Sequence, residues 1–248
     1  MKLVKVKEKI KNEELILIGL GDIHLGSNDC DIPKLKREIE WIKKKDNARV
    51  ILMGDLIDVG LKDSVGAGTY DNYITPEEQI DQILEFLYPI RNKIWCSISG
   101  NHENRIKERT SIDVSKLIAK SLQIPYDEHG CFVKANINGL NYIIYATHGS
   151  SGATTPATKI QSVVRLGGFI DADLYLHGHV HELMSHSTEY FKVDIKDKII
   201  KTCKKYYVLT GHFLKYGGYA EQKCMSPGKT GVAKILLNTS KKDIHVSI

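Results

Sequence analysis

Residues 14–24 read ELILIGLGDIH: seven mostly β-branched or leucine residues, a glycine, then an aspartate and a histidine two positions apart. A short apolar run closed by glycine is the pattern of a buried strand. The same grammar recurs four times. Residues 49–53 (RVILM) lead into Gly54-Asp55-Leu56-Ile57-Asp58, and residues 93–99 (KIWCSIS) into Gly100-Asn101-His102-Glu103. Residues 140–147 (LNYIIYAT) lead into His148-Gly149, and residues 173–177 (DLYLH) into Gly178-His179-Val180-His181. Five strands therefore each deliver Asp, Asn or His at the carboxyl end. In open α/β sheets that edge is where sites are built.

Helical patterns separate the first three runs. Residues 34–45 place Leu35, Ile39 and Ile42 on one face; residues 76–91 carry Ile80, Ile83, Leu84 and Leu87 on one stripe, with Thr75 and Glu78 spaced as a capping box. Strand–helix–strand alternation predicts a sheet with parallel strands. The second half changes character: Asn138-Gly139 marks a hairpin, and residues 184–193, 199–209 and 232–237 read as antiparallel strands. The expected architecture is α/β, two sheets with helices outside, in a single domain over residues 1–248.

The chain has 248 residues, 42% of them apolar and 26% charged, enough for a packed core. Its 35 basic and 30 acidic residues leave a net charge of +5, too small to argue for nucleic-acid binding by itself. No run approaches the ~18 apolar residues of a membrane helix, so no membrane partner is expected. The N-terminal MKLVKVKEKI alternates as a strand does, not as a signal peptide. The cysteines Cys30, Cys96, Cys131, Cys203 and Cys224 form no CxxC pair, which predicts neither a disulfide framework nor a cysteine zinc site, and a cytoplasmic location.

Chemically the strand ends supply Asp22, His24, Asp55, Asn101, His148, His179 and His181. Seven oxygen and imidazole donors exceed the four to six that one cation uses, and a pair of ions sharing a carboxylate accounts for the surplus. Asp55 is the candidate bridge, because a carboxylate has two oxygens and a neutral imidazole one free nitrogen.

These blocks, DxH, GDxxD, GNHE, H and GHxH in order, resemble the calcineurin-like metallophosphoesterase superfamily. The resemblance implies a four-layer α-β-β-α sandwich of two mixed sheets and a dinuclear centre of manganese, iron, zinc or nickel, manganese favoured. One ion would be held by Asp22, His24, Asp55 and His181, the other by Asp55, Asn101, His148 and His179. His102 would face the substrate and assist the leaving oxygen while a hydroxide bridging the ions attacks phosphorus. The implied substrates are phosphate esters, with a nucleotide or nucleic-acid diester preferred over a monoester. A non-catalytic interaction module on the same fold is the alternative.

Protein phosphatases of the superfamily carry arginine where this chain has Val59, so phosphoproteins are not expected as substrates. Arg105 after GNHE and the ATHGS block resemble small single-domain bacterial and phage phosphoesterases. Arg105, Lys215 and Tyr219 are candidate substrate contacts. Asp58 and His177 are candidate partners behind the ligands, and His212, Lys159 and Arg165 fall in segments near the site. The lysines 43–45 and Lys201, Lys204 and Lys205 read as solvated faces.

Overall fold

In the computed structural model, residues 1–61, 72–217, 221 and 227–248 are described. The strands are β1 (Lys2–Glu8), β2 (Glu14–Leu20), β3 (Ala48–Leu52), β4 (Ile94–Ile98), β5 (Tyr126–Asp127), β6 (Gly130–Ile137), β7 (Leu140–Thr147), β8 (Leu174–His177), β9 (Leu183–Asp194), β10 (Ile199–His212), β11 (Gly231–Val232), β12 (Lys234–Asn238) and β13 (Ile244–Ser247). The helices are α1 (Ile32–Lys44), α2 (Pro76–Leu87), α3 (Asn101–Thr110), α4 (Val114–Leu122) and α5 (Pro156–Val164).

Local chemistry sets most boundaries. The Asp31 side chain accepts the Lys34 N–H, so α1 begins at Ile32, three residues before its apolar stripe does. Thr75 and Glu78 form the expected capping box of α2. That helix gives way at Leu87 to a 3₁₀ turn over Tyr88–Lys93, because Pro89 has no N–H to continue the α ladder. Asn138 and Gly139 both adopt positive φ, 49° and 95°, as a two-residue hairpin of type I′ requires.

The strands form two mixed sheets, β13-β12-β2-β3-β4-β5 and β1-β6-β7-β8-β10-β11, with β9 on the flank of β10. The halves of the chain do not map onto the sheets as expected. β1 crosses to the second sheet, parallel to β6, and β12–β13 return to the first. The second sheet is also less antiparallel than its turns suggest, since β7–β8 and β8–β10 are parallel pairs.

Three apolar layers separate the four structural ones. Between the sheets lie Leu15, Leu17, Ile51, Ile98, Val133, Ile144, Leu176 and Val208. Ile18, Val50 and Leu52 meet Leu35, Ile83 and Ile118 of α1, α2 and α4. Tyr175, Tyr207 and Leu209 meet Val163 of α5. Because side chains alternate along a strand, β2 and β3 serve both the inter-sheet and the helix layer, which is why they read as continuous apolar runs.

Candidate metal centre

The five blocks converge at the carboxyl ends of β2, β3, β4, β7 and β8. Backbone contacts lock them together. Ile23 and His24 donate N–H bonds to the Asp55 carbonyl at 2.8 and 3.1 Å, and Asp22 donates to the Gly54 carbonyl at 3.0 Å. Gly54 and Gly100 pack backbone to backbone: a Cβ on Gly100 would lie 2.1 Å from the Asp55 nitrogen and from its Oδ1. No other residue allows the second and third blocks to approach this closely.

Glu103 is a site residue that sequence reasoning missed. It is buried, and its carboxylate accepts four backbone N–H bonds, from Asp55 (3.1 Å), Leu56 (2.6 Å), Ile57 (3.3 Å) and Gly100 (3.1 Å). It thereby shapes the loop that presents Asp55. Its motif position was visible, but α3 is polar on most faces and gave no apolar stripe to mark Glu103 as inward-facing. Glu103→Ala is expected to leave those donors unsatisfied, costing about 3 kcal/mol and roughly 6–12 °C in Tm by calorimetry.

The structure brings all seven candidate ligands together. His24 Nε2 lies 3.0 Å from His181 Nε2, and His181 Nε2 3.3 Å from Asp22 Oδ1. On the other side, Asn101 Oδ1 is 3.0 Å from His148 Nε2 and 2.8 Å from His179 Nδ1. Asp55 Oδ2 stands between, 3.8 Å from His24 Nε2 and 3.2 Å from His148 Nε2. Two ligand atoms each about 2.1 Å from one ion, at about 90–110°, are about 3.0–3.4 Å apart. Four of the six spacings fall in that range; Asn101–His179, at 2.8 Å, is slightly shorter and Asp55–His24, at 3.8 Å, longer.

Donor chemistry asks for positive charge at the same places. The Met53 carbonyl accepts from His148 Nδ1 at 2.8 Å, so Nε2 is the nitrogen left to face the Asp55 carboxylate. Burial disfavours a charged His148, yet Asp55 beside it pushes its pKa up to about 10: a proton supplies the cation there when nothing else does. Burial likewise opposes ionised Asp55, but His148 and His102 hold it well below the usual carboxylate range. His24 donates from Nδ1 to Asp58 Oδ1 at 3.1 Å, and burial together with His102 lowers its pKa, leaving a neutral ring with its Nε2 lone pair aimed at His181. The residues present fit divalent-cation binding, with Asp22, His24 and His181 in one group of possible ligands and Asp55, His148 and His179 in another.

The backbone is strained at the same spots. Ten non-glycine residues among those described have positive φ; five belong to these blocks, Asp22 (47°), His24 (52°), Asp55 (48°), His179 (66°) and His181 (48°), and Val59 (49°) directly follows one. Each such residue costs on the order of 1–3 kcal/mol, and such strain concentrates at functional sites.

His102 sits beside the cluster. Its Nδ1 donates to the Asp58 carbonyl at 2.6 Å, and Arg105 Nη2 donates to its Nε2 at 3.0 Å. The Asp58 carboxylate, its Oδ1 3.1 Å from His24 Nδ1 and 3.2 Å from His102 Nδ1, backs both rings; burial opposes its charge, but the two imidazoles keep it far below the usual range. His177 is buried behind the ligands, donating to the Gly178 carbonyl at 2.8 Å. Lys159 pairs with Glu182 at 3.1 Å, while Lys215 is exposed, its backbone N–H tied to the Asp29 carbonyl at 2.8 Å. Tyr219 lies outside the described residues.

Residues 17–216 match the family described as calcineurin-like phosphoesterase. The chain belongs to that family. No curated protein matches the sequence. Solved structures similar to this family member include a Vps29 double mutant from Entamoeba histolytica, 12% identical with a TM-score of 0.48 over 94% of this chain and 90% of that one. A metallophosphoesterase from Sphaerobacter thermophilus is 12% identical, TM-score 0.43, over 95% and 88%. The calcineurin-like phosphoesterase YfkN from Bacillus subtilis is 11% identical, TM-score 0.44, over 94% and 90%.

His212, at the end of β10, stacks on His181 with ring centroids 5.3 Å apart, and neither ring nitrogen has a hydrogen-bond partner among the described residues. Burial lowers its pKa to about 3, and that of His177 to about 4. Both stay neutral in the fold while the unfolded chain takes up their protons near pH 6.5, so stability is lost as pH falls from about 6.5 toward 4. Each group steepens that loss by up to about 1.4 kcal/mol per pH unit. Urea unfolding of metal-free His212→Leu between pH 7 and 5 is expected to show a slope shallower by that amount.

Proposed function

We propose that the chain is a dinuclear-metal phosphoesterase. Asp22, His24, Asp55 and His181 would hold one ion, and Asp55, Asn101, His148 and His179 the other. The observation that carries this reading is Asp55 Oδ2, poised between His24 Nε2 and His148 Nε2 at the junction of two ligand groups. Bound there, two divalent cations supply Lewis-acid charge for a phosphoryl group and a nucleophile at neutral pH.

The remaining chemistry belongs to side chains. In the structure Arg105 donates to His102 Nε2, which needs that lone pair, so the ring is neutral. Burial and the Arg105 charge disfavour the imidazolium, but Asp55 and Asp58 raise the His102 pKa overall. An Arg105 side chain drawn to a phosphoryl oxygen releases Nε2 to take up a proton. His102, oriented through Nδ1 by Asp58, then donates that proton to the departing ester oxygen. Arg105 so acts twice, binding substrate and freeing the acid.

We infer that the substrate is a phosphate ester, with a phosphodiester of a nucleotide or nucleic acid preferred, on the strength of the family and the small positive charge. Manganese is favoured among metals of suitable ligand preference. A panel of p-nitrophenyl mono- and diesters, cyclic nucleotides and DNA, each with manganese, iron, zinc and nickel, tests the reading. Diesters turned over faster than monoesters support it; faster monoesters make the chain a phosphatase. No turnover with any metal makes it an interaction module.

A further inference from the structure

β9 and β10 pair over twelve rungs, from Leu183–Thr210 to Asp194–Ile199, but β8 lies against β10 only at Tyr206–Leu209. The outer seven rungs, Thr188–Lys205 to Asp194–Ile199, form a two-stranded ribbon extending about 23 Å past the neighbouring strand. His181 precedes the ribbon and His212 ends it, so its tip points away from the metal centre.

That tip gathers apolar surface. Of the fourteen large apolar side chains exposed among the described residues, five fall between positions 191 and 200: Phe191 (79% exposed), Val193 (67%), Ile195 (86%), Ile199 (49%) and Ile200 (71%). Val193 and Ile200 face each other across the ladder, next to Phe191, on the face that continues the inter-sheet layer beyond its cover. A cluster of this kind marks a partner surface.

The tip is also basic. Its acidic groups are consumed internally: Lys201 Nζ pairs with Asp194 at 2.6 Å and Asp197 at 3.0 Å, and Lys204 pairs with Glu189 at 3.0 Å. Asp194 also accepts the Lys196 and Asp197 N–H groups that shape the turn. Lys192, Lys196 and Lys198 have no carboxylate partner among the described residues.

We propose that this ribbon docks the protein peripherally on an anionic lipid bilayer; the expectation of no membrane partner rested on the lack of a spanning helix, which surface docking does not need. Phe191, Val193, Ile195 and Ile200 would enter the interface, with Lys192, Lys196 and Lys198 against the headgroups. Charge decides among occupants. A second copy would bring two lysine-rich tips together, and a polynucleotide would leave the isoleucines and phenylalanine unburied. An anionic bilayer answers both features, and leaves the metal centre open to water.

Co-sedimentation of the 248-residue chain with vesicles of phosphatidylcholine, alone or with phosphatidylglycerol, tests the proposal. Binding is expected only to the anionic vesicles, weakened by salt. It should fall about fivefold for each of Lys192→Gln and Lys196→Gln, and be lost in Phe191→Ser/Ile200→Ser. Those side chains are exposed, so thermal unfolding should not change; if the serine pair misfolds, the two lysine variants carry the test. Absent binding, or binding indifferent to these variants, overturns the proposal. So does a dimer in light scattering that the serine pair dissociates, or retarded duplex DNA that the serine pair releases.

Discussion

Asp55→Ala is expected to empty both halves of the metal centre at once. Its Oδ2 stands between His24 and His148, and its Oδ1 accepts the His102 N–H at 2.9 Å, so no other carboxylate occupies the junction. Removing it leaves four imidazoles and one amide facing one another, with Asp22 among them and Asp58 behind His24 as the remaining carboxylates. Metal analysis after gel filtration in manganese should give under one ion per chain, against two for the parent. kcat/KM should fall at least about a thousandfold, which is about 4 kcal/mol. Asp22→Ala is the control: as a proposed ligand it serves one group, touching the other only by accepting the His179 N–H at 3.0 Å, and it should leave one ion bound. Two ions retained in Asp55→Ala overturn the shared carboxylate.

His102→Asn is expected to separate metal binding from turnover. The ring lies beside the ligands and is held by Asp58 and Arg105, so both ions should remain. Loss of a general acid costs about 10²–10⁴ in kcat. Two further readings distinguish proton donation from simple positioning. The loss should be larger for an alkyl leaving group than for p-nitrophenolate, which departs without a proton. The alkaline limb of the pH–rate profile, placed above the ordinary histidine range by Asp55 and Asp58 against burial, should vanish in the variant. Equal losses with both leaving groups and an unchanged limb would remove His102 from the acid role.

The ligand blocks were legible because each is local. A buried strand, a glycine and a polar side chain within five residues leave a readable trace, and β2 and β7 fall at the positions their runs indicate. α4 was not read from the sequence, because its stripe of Val114, Ile118 and Leu122 spans only nine residues. Nor was α3. It is recruited as a helix by contacts at its start, where Glu103 reaches back to the Gly100 N–H, and by little of its own apolar pattern.

What the sequence determined by itself was the kind of chemistry: seven oxygen and imidazole donors at strand ends, in an order that names a family. Periodicity and turn residues act over a few positions, so they are written where they act. Tertiary structure alone decided which sheet β1 joins, which donors lie within reach of one another, that Arg105 covers His102, and that His212 lies against His181 with no partner among the described residues. It alone sent the β9–β10 ribbon past its neighbours. Those outcomes depend on distances between residues far apart in the chain, set by packing two sheets face to face, and no local pattern encodes them.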